Sequence, residues 1–303
     1  MRLAYFGTSA FAVPALEELA PWVSLVVTQP SRPSGRGNRL LPTPVGSVAE
    51  SLGIESVAPE KARDPQFISM IESRDFDALV VASYGQILSQ QLLEAAKRGG
   101  INLHASILPK FRGAAPIARA ILQGEIETGV TLMQMDKGMD SGDIISIERI
   151  AIGPDETAGQ LESRLADLAA AMAAAWLPRI VAGPYPRTRQ VHEQATLAPK
   201  IEKAEAAIDY EMTAEDAYGR FRAFTPRPGA TLVGAREPLR ILRCRIGEHS
   251  GSPGKVLALG PEGLTVGMTS GSLMLSDVQP AGKRAISWND LANGWRLNLG
   301  DRL

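Results

Sequence analysis

The chain has 303 residues, 45% hydrophobic and 21% charged, and a net charge of -1. This fits a soluble globular protein of one large or two ordinary domains. A single cysteine, Cys244, excludes an internal disulfide and a cysteine-cluster metal site, and the three histidines (His104, His192, His249) lack metal-ligand spacing, so no metal is expected. No apolar stretch reaches about 18 residues without a charge, so neither a membrane span nor a membrane partner is expected.

The chain enters an apolar, strand-like run at once, Leu3–Phe6, with no leader expected before it. Further strand-like runs are Val23–Thr28, Ile54–Val57, Ala78–Ala82 and Ile101–His104. Amphipathic segments at Ala12–Leu19, Thr43–Leu52 and Asp64–Ser73 alternate with them. Thr43-Pro44 is a strong helix start, with threonine as cap and proline in the first helical position. Such alternation predicts an α/β domain: a Rossmann-like, mostly parallel sheet with helices on both faces. Gly7-Thr8 supplies a tight turn after the first strand but no Gly-x-Gly-x-x-Gly, which argues against a dinucleotide site.

Between the second strand and the helix at Thr43 lies Thr28–Pro44, a long insertion with Arg32, Arg36 and Arg39 and no acid. Gly35, Gly37 and the prolines at 30, 33 and 42 predict a flexible segment without regular structure. Loops of this length in compact domains are usually functional or disordered. A solvated surface loop is the plain reading; a basic grip on a single-stranded RNA end is the functional one.

Further along, Ala114–Leu122 reads as a helix, Val130–Met135 and Ile144–Ile150 as strands, and Thr157–Val181 as a long helix closing the domain. Its alanine run reads as core packing. Residues 184–203 read as a linker, dividing a first domain (1–183) from a second (204–303). The second opens with a helix at Thr213–Phe224, where Thr213 and Asp216 suggest a capping box. Short runs follow at Ala230–Val233, Leu239–Arg243, Lys255–Leu259, Leu264–Met268 and Ser272–Leu275. They predict a small, OB-like β-barrel. Residues 218–303 hold 12 lysines and arginines against 6 acids, while residues 1–217 hold 20 against 27. A +6 tail beside a -7 body points to a polyanionic partner. Lys283-Arg284, Arg240, Arg243 and Arg245 are candidates to meet it. Arg240 and Arg243, an odd step apart, should face opposite sides of a regular strand.

The densest constellation is Asn102-x-His104 on a short apolar run, followed by Asp140 in a Gly-rich turn. Strand alternation points Asn102 and His104 to one side. Singly, Asn102 is a turn former, His104 a packed histidine and Asp140 a turn aspartate. Together they aim an amide, an imidazole and a carboxylate at one crevice. An amide N–H suits a developing oxyanion, an imidazole suits proton transfer near neutral pH, and a carboxylate can orient and charge-stabilise the imidazole.

Asn102-x-His104, Ser106-Ile107-Leu108-Pro109, Gly113–Pro116 and Asp140–Ile144 together resemble the active site of the folate-dependent formyltransferases. Thr28–Pro44, Gln134–Ile145 and Gln279–Arg284 resemble the branch that acts on charged initiator tRNA. The resemblance runs nearly end to end and is weakest between about Gly247 and Ser276. It implies catalysis by Asn102, His104 and Asp140, with 10-formyltetrahydrofolate as formyl donor and initiator methionyl-tRNA as acceptor. It places the folate at Ser106, Ile107, Leu108 and Pro109 and around Tyr84, Gly85, Gln86 and Ile87. It gives tRNA contacts to Arg32, Arg36 and Arg39, Arg36 foremost, and tRNA binding to the tail through Lys283 and Arg284. A monomeric cytoplasmic enzyme is expected. Two other readings stay open: a formyltransferase for an amino sugar nucleotide, and an RNA-binding module without catalysis.

Overall fold

The computed structural model of the chain describes residues 1–34 and 39–303. Arg36 lies outside the described residues. The chain divides by its contacts into two units, neither of them collinear with the sequence. Unit 1 comprises Met1–Pro116, Glu127–Ala151 and Glu162–Pro199; unit 2 comprises Ile117–Ile126, Ile152–Leu161 and Lys200–Leu303.

The chain opens with β1 (Leu3–Gly7), α1 (Val13–Leu19) and β2 (Val23–Val27). A hairpin follows, β3 (Arg32–Ser34) with β4 (Arg39–Leu41), and then α2 (Pro44–Ser51) and β5 (Ser56–Val57). α3 (Pro65–Glu72), β6 (Ala78–Ala82), α4 (Gln90–Glu94) and β7 (Gly100–His104) come next. α5 (Pro116–Leu122), β8 (Glu127–Gln134), β9 (Ile144–Ala151) and α6 (Ala158–Ala182) follow.

The main sheet of unit 1 has the order β5-β2-β1-β6-β7-β8-β9. The first five strands are parallel, and β8 runs antiparallel to both β7 and β9. All residues of β1, β6 and β7 are buried, so both sheet faces are covered. On one face α3 and α4 set Phe67, Ile68, Ile71, Leu92 and Leu93 against Ala4, Phe6, Leu25, Val27, Leu79 and Val81. On the other, the Tyr5 hydroxyl donates to the Ala12 carbonyl ahead of α1 at 2.6 Å, and α1 packs on α2. Helix starts follow local chemistry. Thr43 accepts from the Gly46 amide and Asp64 from Gln66, each with proline next in line.

Strand order sets where a site can form. From β1 the chain builds outward through β2 and β5, then returns to add β6 and β7 on the other side. The carboxyl ends of β1 and β6 therefore flank a switch point, where open α/β sheets leave a crevice. Thr8 Oγ1 donates to the Tyr84 carbonyl (2.8 Å) and Ser9 Oγ to Ser83 Oγ (2.8 Å) across it. β7 ends beside β6 with His104.

The insertion departs from expectation. Arg32 pairs with Leu41, Pro33 with Leu40 and Ser34 with Arg39. A two-stranded ribbon leaves alternate amides without a ladder partner, so a proline is tolerated there. α6 also has a membrane-span composition by length and hydropathy. Its stripe Leu165, Ala169, Met172, Ala173, Leu177 and Ile180 is buried in the fold, as in a core helix.

Unit 2 carries β10 (Ala207–Ile208), α7 (Ala214–Phe224), β11 (Thr231–Leu232) and β12 (Leu239–Ile246). β13 (Val256–Leu259), β14 (Leu264–Gly267), β15 (Ser272–Pro280), β16 (Ile286–Ser287) and α8 (Trp288–Trp295) complete it. The ladder runs β10-β11-β12-β15-β14-β13, with β16 on β15, antiparallel apart from β10 with β11. Ile208, Leu232, Ile241, Cys244, Val266 and Leu275 meet Ala217, Phe221 and Leu291 in one barrel-like core. Burial pushes the Cys244 thiol well above its ordinary range. Thr213 caps α7 through the Asp216 amide at 3.1 Å. The two inserted segments join this unit by specific bonds. Arg119 makes a two-pronged ion pair with Glu205 (2.6 and 3.0 Å), and Tyr218 donates to Asp155 (2.8 Å). Arg119 holds the Glu205 carboxyl below its ordinary range.

Arg240 and Arg243 do not obey the odd-step rule. Arg240 lies opposite Gln279 and Arg243 opposite Asp277, with register shifts between Ile241 and Cys244. A bulge sets three residues of β12 against two of β15, which returns both arginines to one side.

Candidate active site

Two backbone features build the site. β7 ends at His104, burying Asn102 (8% exposed) and His104 (6% exposed) on the same side of the strand. The turn after β8 then carries Asp140 with φ of 51°, a left-handed conformation uncommon for a residue with a side chain.

The three side chains meet. Asn102 Nδ2 donates to Asp140 Oδ1 at 3.3 Å, and the Gly113 amide donates to Asp140 Oδ2 at 2.8 Å. His104 Nδ1 stands 3.6 Å from Asp140 Oδ2. His104 Nε2 lies 2.9 Å from the Phe111 carbonyl. A carbonyl can only accept, so Nε2 carries the hydrogen and the tautomer is settled. A neutral His104 therefore turns the lone pair of Nδ1 toward the carboxylate. That nitrogen is the ring's only base, and a proton taken there sits against a negative charge. At 3.6 Å the two are not directly hydrogen-bonded, which leaves room for a proton in transit or a donor from a third group. Two carboxylate donors, Asn102 and Gly113, keep Asp140 in place meanwhile.

The Ser106–Pro109 turn is self-tied. Ser106 Oγ donates to the Lys110 carbonyl (2.7 Å), and Thr131 Oγ1 donates to the Ser106 carbonyl (2.6 Å) while accepting from the Leu108 amide (3.1 Å). Ser106 and Leu108 are buried; Ile107 and Pro109 keep open surface. Around the crevice, Ile87 is 88% exposed, an apolar surface without cover. Tyr84 is buried with its ring edge-on to Phe6, and burial pushes its phenol up to about 12. Its hydroxyl is inward and has no partner among the described residues, and its carbonyl accepts from Thr8 Oγ1 (2.8 Å) and Gln29 Nε2 (2.9 Å), so its side chain offers the crevice no polar group. Gln86 spends its amide on Ala62 and Pro59. Gly85 has φ of 83°, and a Cβ there would meet Gln29 Nε2.

Two polar groups in this neighbourhood escaped sequence reasoning. Arg112 is 8% exposed and Gln190 5% exposed. Arg112 Nε and Nη2 both donate to Gln190 Oε1 (3.1 and 2.6 Å), and Gln190 Nε2 donates to the carbonyls of Asp140 (2.9 Å) and Gly142 (2.8 Å). The only local signal was Arg112 beside Gly113. Gln190 lies in a stretch without periodicity, and nothing in its sequence surroundings marks it.

Of the expected tRNA contacts, Arg32 and Arg39 sit in the β3–β4 hairpin, and Arg36 lies outside the described residues. Lys283 is engaged with Glu237 at 2.9 Å, while Arg284 is exposed beside Arg243 and its partner Asp277. Among the described residues no group of three His, Cys, Asp or Glu is arranged to hold a metal ion.

Two families match the chain: formyl transferase over residues 4–177, and formyl transferase, C-terminal domain, over residues 200–296. The methionyl-tRNA formyltransferase of Geobacter metallireducens is 40% identical over 306 residues, covering 100% of this chain and 98% of that protein. That of Myxococcus xanthus is 42% identical over 304 residues, covering 99% and 97%. Among solved structures, HypX from Aquifex aeolicus in complex with tetrahydrofolic acid superposes with a TM-score of 0.70 at 16% identity. The match covers 100% of this chain and 49% of HypX, so the chain spans about half the length of that protein and the likeness is one of fold.

Proposed function

Because the chain belongs to the formyl transferase family over most of its length, we propose that it transfers a formyl group from 10-formyltetrahydrofolate to the amino group of methionyl initiator tRNA, supporting translation initiation. Full-length relatives bearing the methionyl-tRNA name support the acceptor. The observation that carries the chemistry is the contact of Asn102, His104 and Asp140 at the end of β7.

Bound folate supplies the formyl carbon. The exposed Ile87, the open faces of Ile107 and Pro109, and the backbone of Tyr84, Gly85 and Gln86 suit an apolar ring system with polar edges. Ser106 and Leu108 contribute by shaping the turn. One Asn102 N–H holds Asp140; the other is left to donate to the formyl oxygen as negative charge develops. An α-amino group titrates near pH 7.7–8.0, so the nucleophile needs only modest activation. As it attacks, His104 Nδ1 takes its proton, and Asp140 stabilises the imidazolium. The same nitrogen returns a proton to the departing folate nitrogen, a weakly basic arylamine.

We assign catalysis to residues 1–183, connection to 184–203 and tRNA binding to 204–303. Arg32, Arg36 and Arg39 reach the acceptor end, and Lys283 and Arg284 the tRNA backbone. The enzyme acts as a cytoplasmic monomer with no membrane partner; the buried stripe of α6 supports the last point.

The test offers the purified protein 10-formyltetrahydrofolate with methionyl-tRNA, free methionine and an amino sugar nucleotide in parallel. Formyl-methionyl-tRNA should form and the other two acceptors stay unmodified. A formylated sugar instead would move the assignment to the amino-sugar reading. tRNA binding without any formyl transfer would leave an RNA-binding module.

A further inference from the structure

Residues 185–198 fall largely outside regular structure and wholly between the two family matches. They are nevertheless bonded to the site's own elements at every few residues. The Tyr185 hydroxyl donates to Gln134 Oε1 (2.5 Å), Arg187 pairs with Asp143 (3.1 Å), and Thr188 exchanges both backbone bonds with Ile144 (2.8 Å). Gln190 follows, and then Thr196, whose Oγ1 accepts from the Phe111 amide at 2.9 Å. Leu197 bridges Arg112, with the Ala198 amide on the Arg112 carbonyl at 2.7 Å. This segment therefore clasps both loops that meet at Asp140, the one from Phe111 to Gly113 and the one from Asp140 to Asp143.

We infer that Gln190, oriented by Arg112, is a positioning residue for formyl transfer: it sets the backbone of Asp140 and thereby the carboxylate that faces His104. This rests on the catalytic reading of Asp140 given above. The orientation follows from donor chemistry alone. A guanidinium only donates, so the Gln190 atom facing Arg112 is its oxygen. The amide nitrogen is then turned to the carbonyls of Asp140 and Gly142, and both its hydrogens are used. Arg112 also donates to His192 Nδ1 at 3.1 Å, which makes that nitrogen an acceptor. Three of the four Gln190 hydrogen bonds are buried and the one to the Asp140 carbonyl is partly buried, so losing the amide donor would leave the Gly142 carbonyl stranded and the Asp140 carbonyl poorly satisfied. They also act where the backbone is strained, since Asp140 has φ of 51°. Without these bonds the Asp140 carboxylate loses one restraint on its place facing His104. Misplacement of about 1 Å in a reacting group can cost about 10²-fold in rate.

The experiment measures single-turnover formyl transfer to methionyl-tRNA, with KM for folate and for tRNA, in the full-length protein. Variants are Gln190→Ala, Gln190→Glu, Asp140→Asn and the double variant Gln190→Ala/Asp140→Asn. Glu at 190 still accepts from Arg112 and fills the same space but cannot donate to the two carbonyls, so it serves even if the alanine variant folds poorly. Both 190 variants should lose about 10- to 100-fold in rate, with each KM within about twofold of wild type. In the Asp140→Asn background, Gln190→Ala should cost less than about twofold, because its effect passes through the carboxylate already removed. Full activity in Gln190→Glu, a loss confined to KM, or an undiminished penalty in the double variant would overturn the inference. The underlying reading fails separately, by absence of transfer in the wild type or by full activity in Asp140→Asn.

Discussion

Asp140 works as a hub because three unlike donors or partners converge on one carboxylate: the Asn102 amide, the Gly113 backbone and the His104 ring. Converting it to asparagine keeps the size but replaces one oxygen with N–H, which opposes the Gly113 or Asn102 donor and removes the charge facing His104. Asp140→Asn and His104→Ala should each lower the rate of formyl transfer by about 10²- to 10⁴-fold without loss of fold. Steady-state rates with circular dichroism on the same samples check this, and near-normal turnover in either folded variant would remove that residue from the mechanism. The meeting of Asn102, His104 and Asp140 was legible because Asn-x-His on a strand needs only alternation, and because the surrounding tetrapeptides were distinctive. The ring tautomer was not legible, since it depends on where the Phe111 carbonyl lies. Arg112 and Gln190 were hidden for the same reason: 78 positions separate them along the chain.

At the scale of elements, helix starts were the most readable features, because a cap is a contact between residues three apart. The β3–β4 hairpin and the β12 bulge were not readable, since each depends on a partner strand. Gly113 shows how such a partner constrains a loop. Its φ is 121°, and a Cβ there would lie 2.8 Å from the Ala198 carbonyl oxygen. That is the point where residues 185–198 lie along the loop. Gly113→Ala should therefore destabilise the fold by about 1–3 kcal/mol and slow transfer through Asp140. Urea unfolding followed by tryptophan fluorescence reads the first effect; unchanged stability would mean that the loop moves aside freely. Cys244 reports on the other unit. Buried in its core with a thiol held protonated, it should react with a thiol reagent far more slowly than in urea. Equal rates would show that β12 opens readily.

The whole molecule carries its charge unevenly, but the structure tempers the count. Lys283, Arg243 and Arg245 are paired with Glu237, Asp277 and Glu262, so part of the +6 tail is answered locally. The units are not collinear either. Cutting the chain near residue 197 would strip Ile117–Ile126 and Ile152–Leu161 of the partners they have in unit 2, such as Glu205 and Tyr218. The sequence showed two domains but not this interleaving, which is set by contacts far apart in the chain. Charge substitution in the full chain is the cleaner probe of tRNA binding. Arg284→Ala should weaken tRNA binding and make its logarithmic salt dependence shallower by about one unit, leaving folate binding unchanged. Arg36→Ala should likewise impair use of charged tRNA and spare folate binding, and a loss of folate affinity instead would reassign that insertion. The most direct measurement is the single-turnover rate of formyl-methionyl-tRNA formation from 10-formyltetrahydrofolate, by wild type and Asp140→Asn, at saturating concentrations of both substrates. Rapid product formation by the wild type and a loss of about 10²-fold or more in the variant is the predicted result. Equal rates in the two proteins, or no formyl-methionyl-tRNA from the wild type, would contradict it.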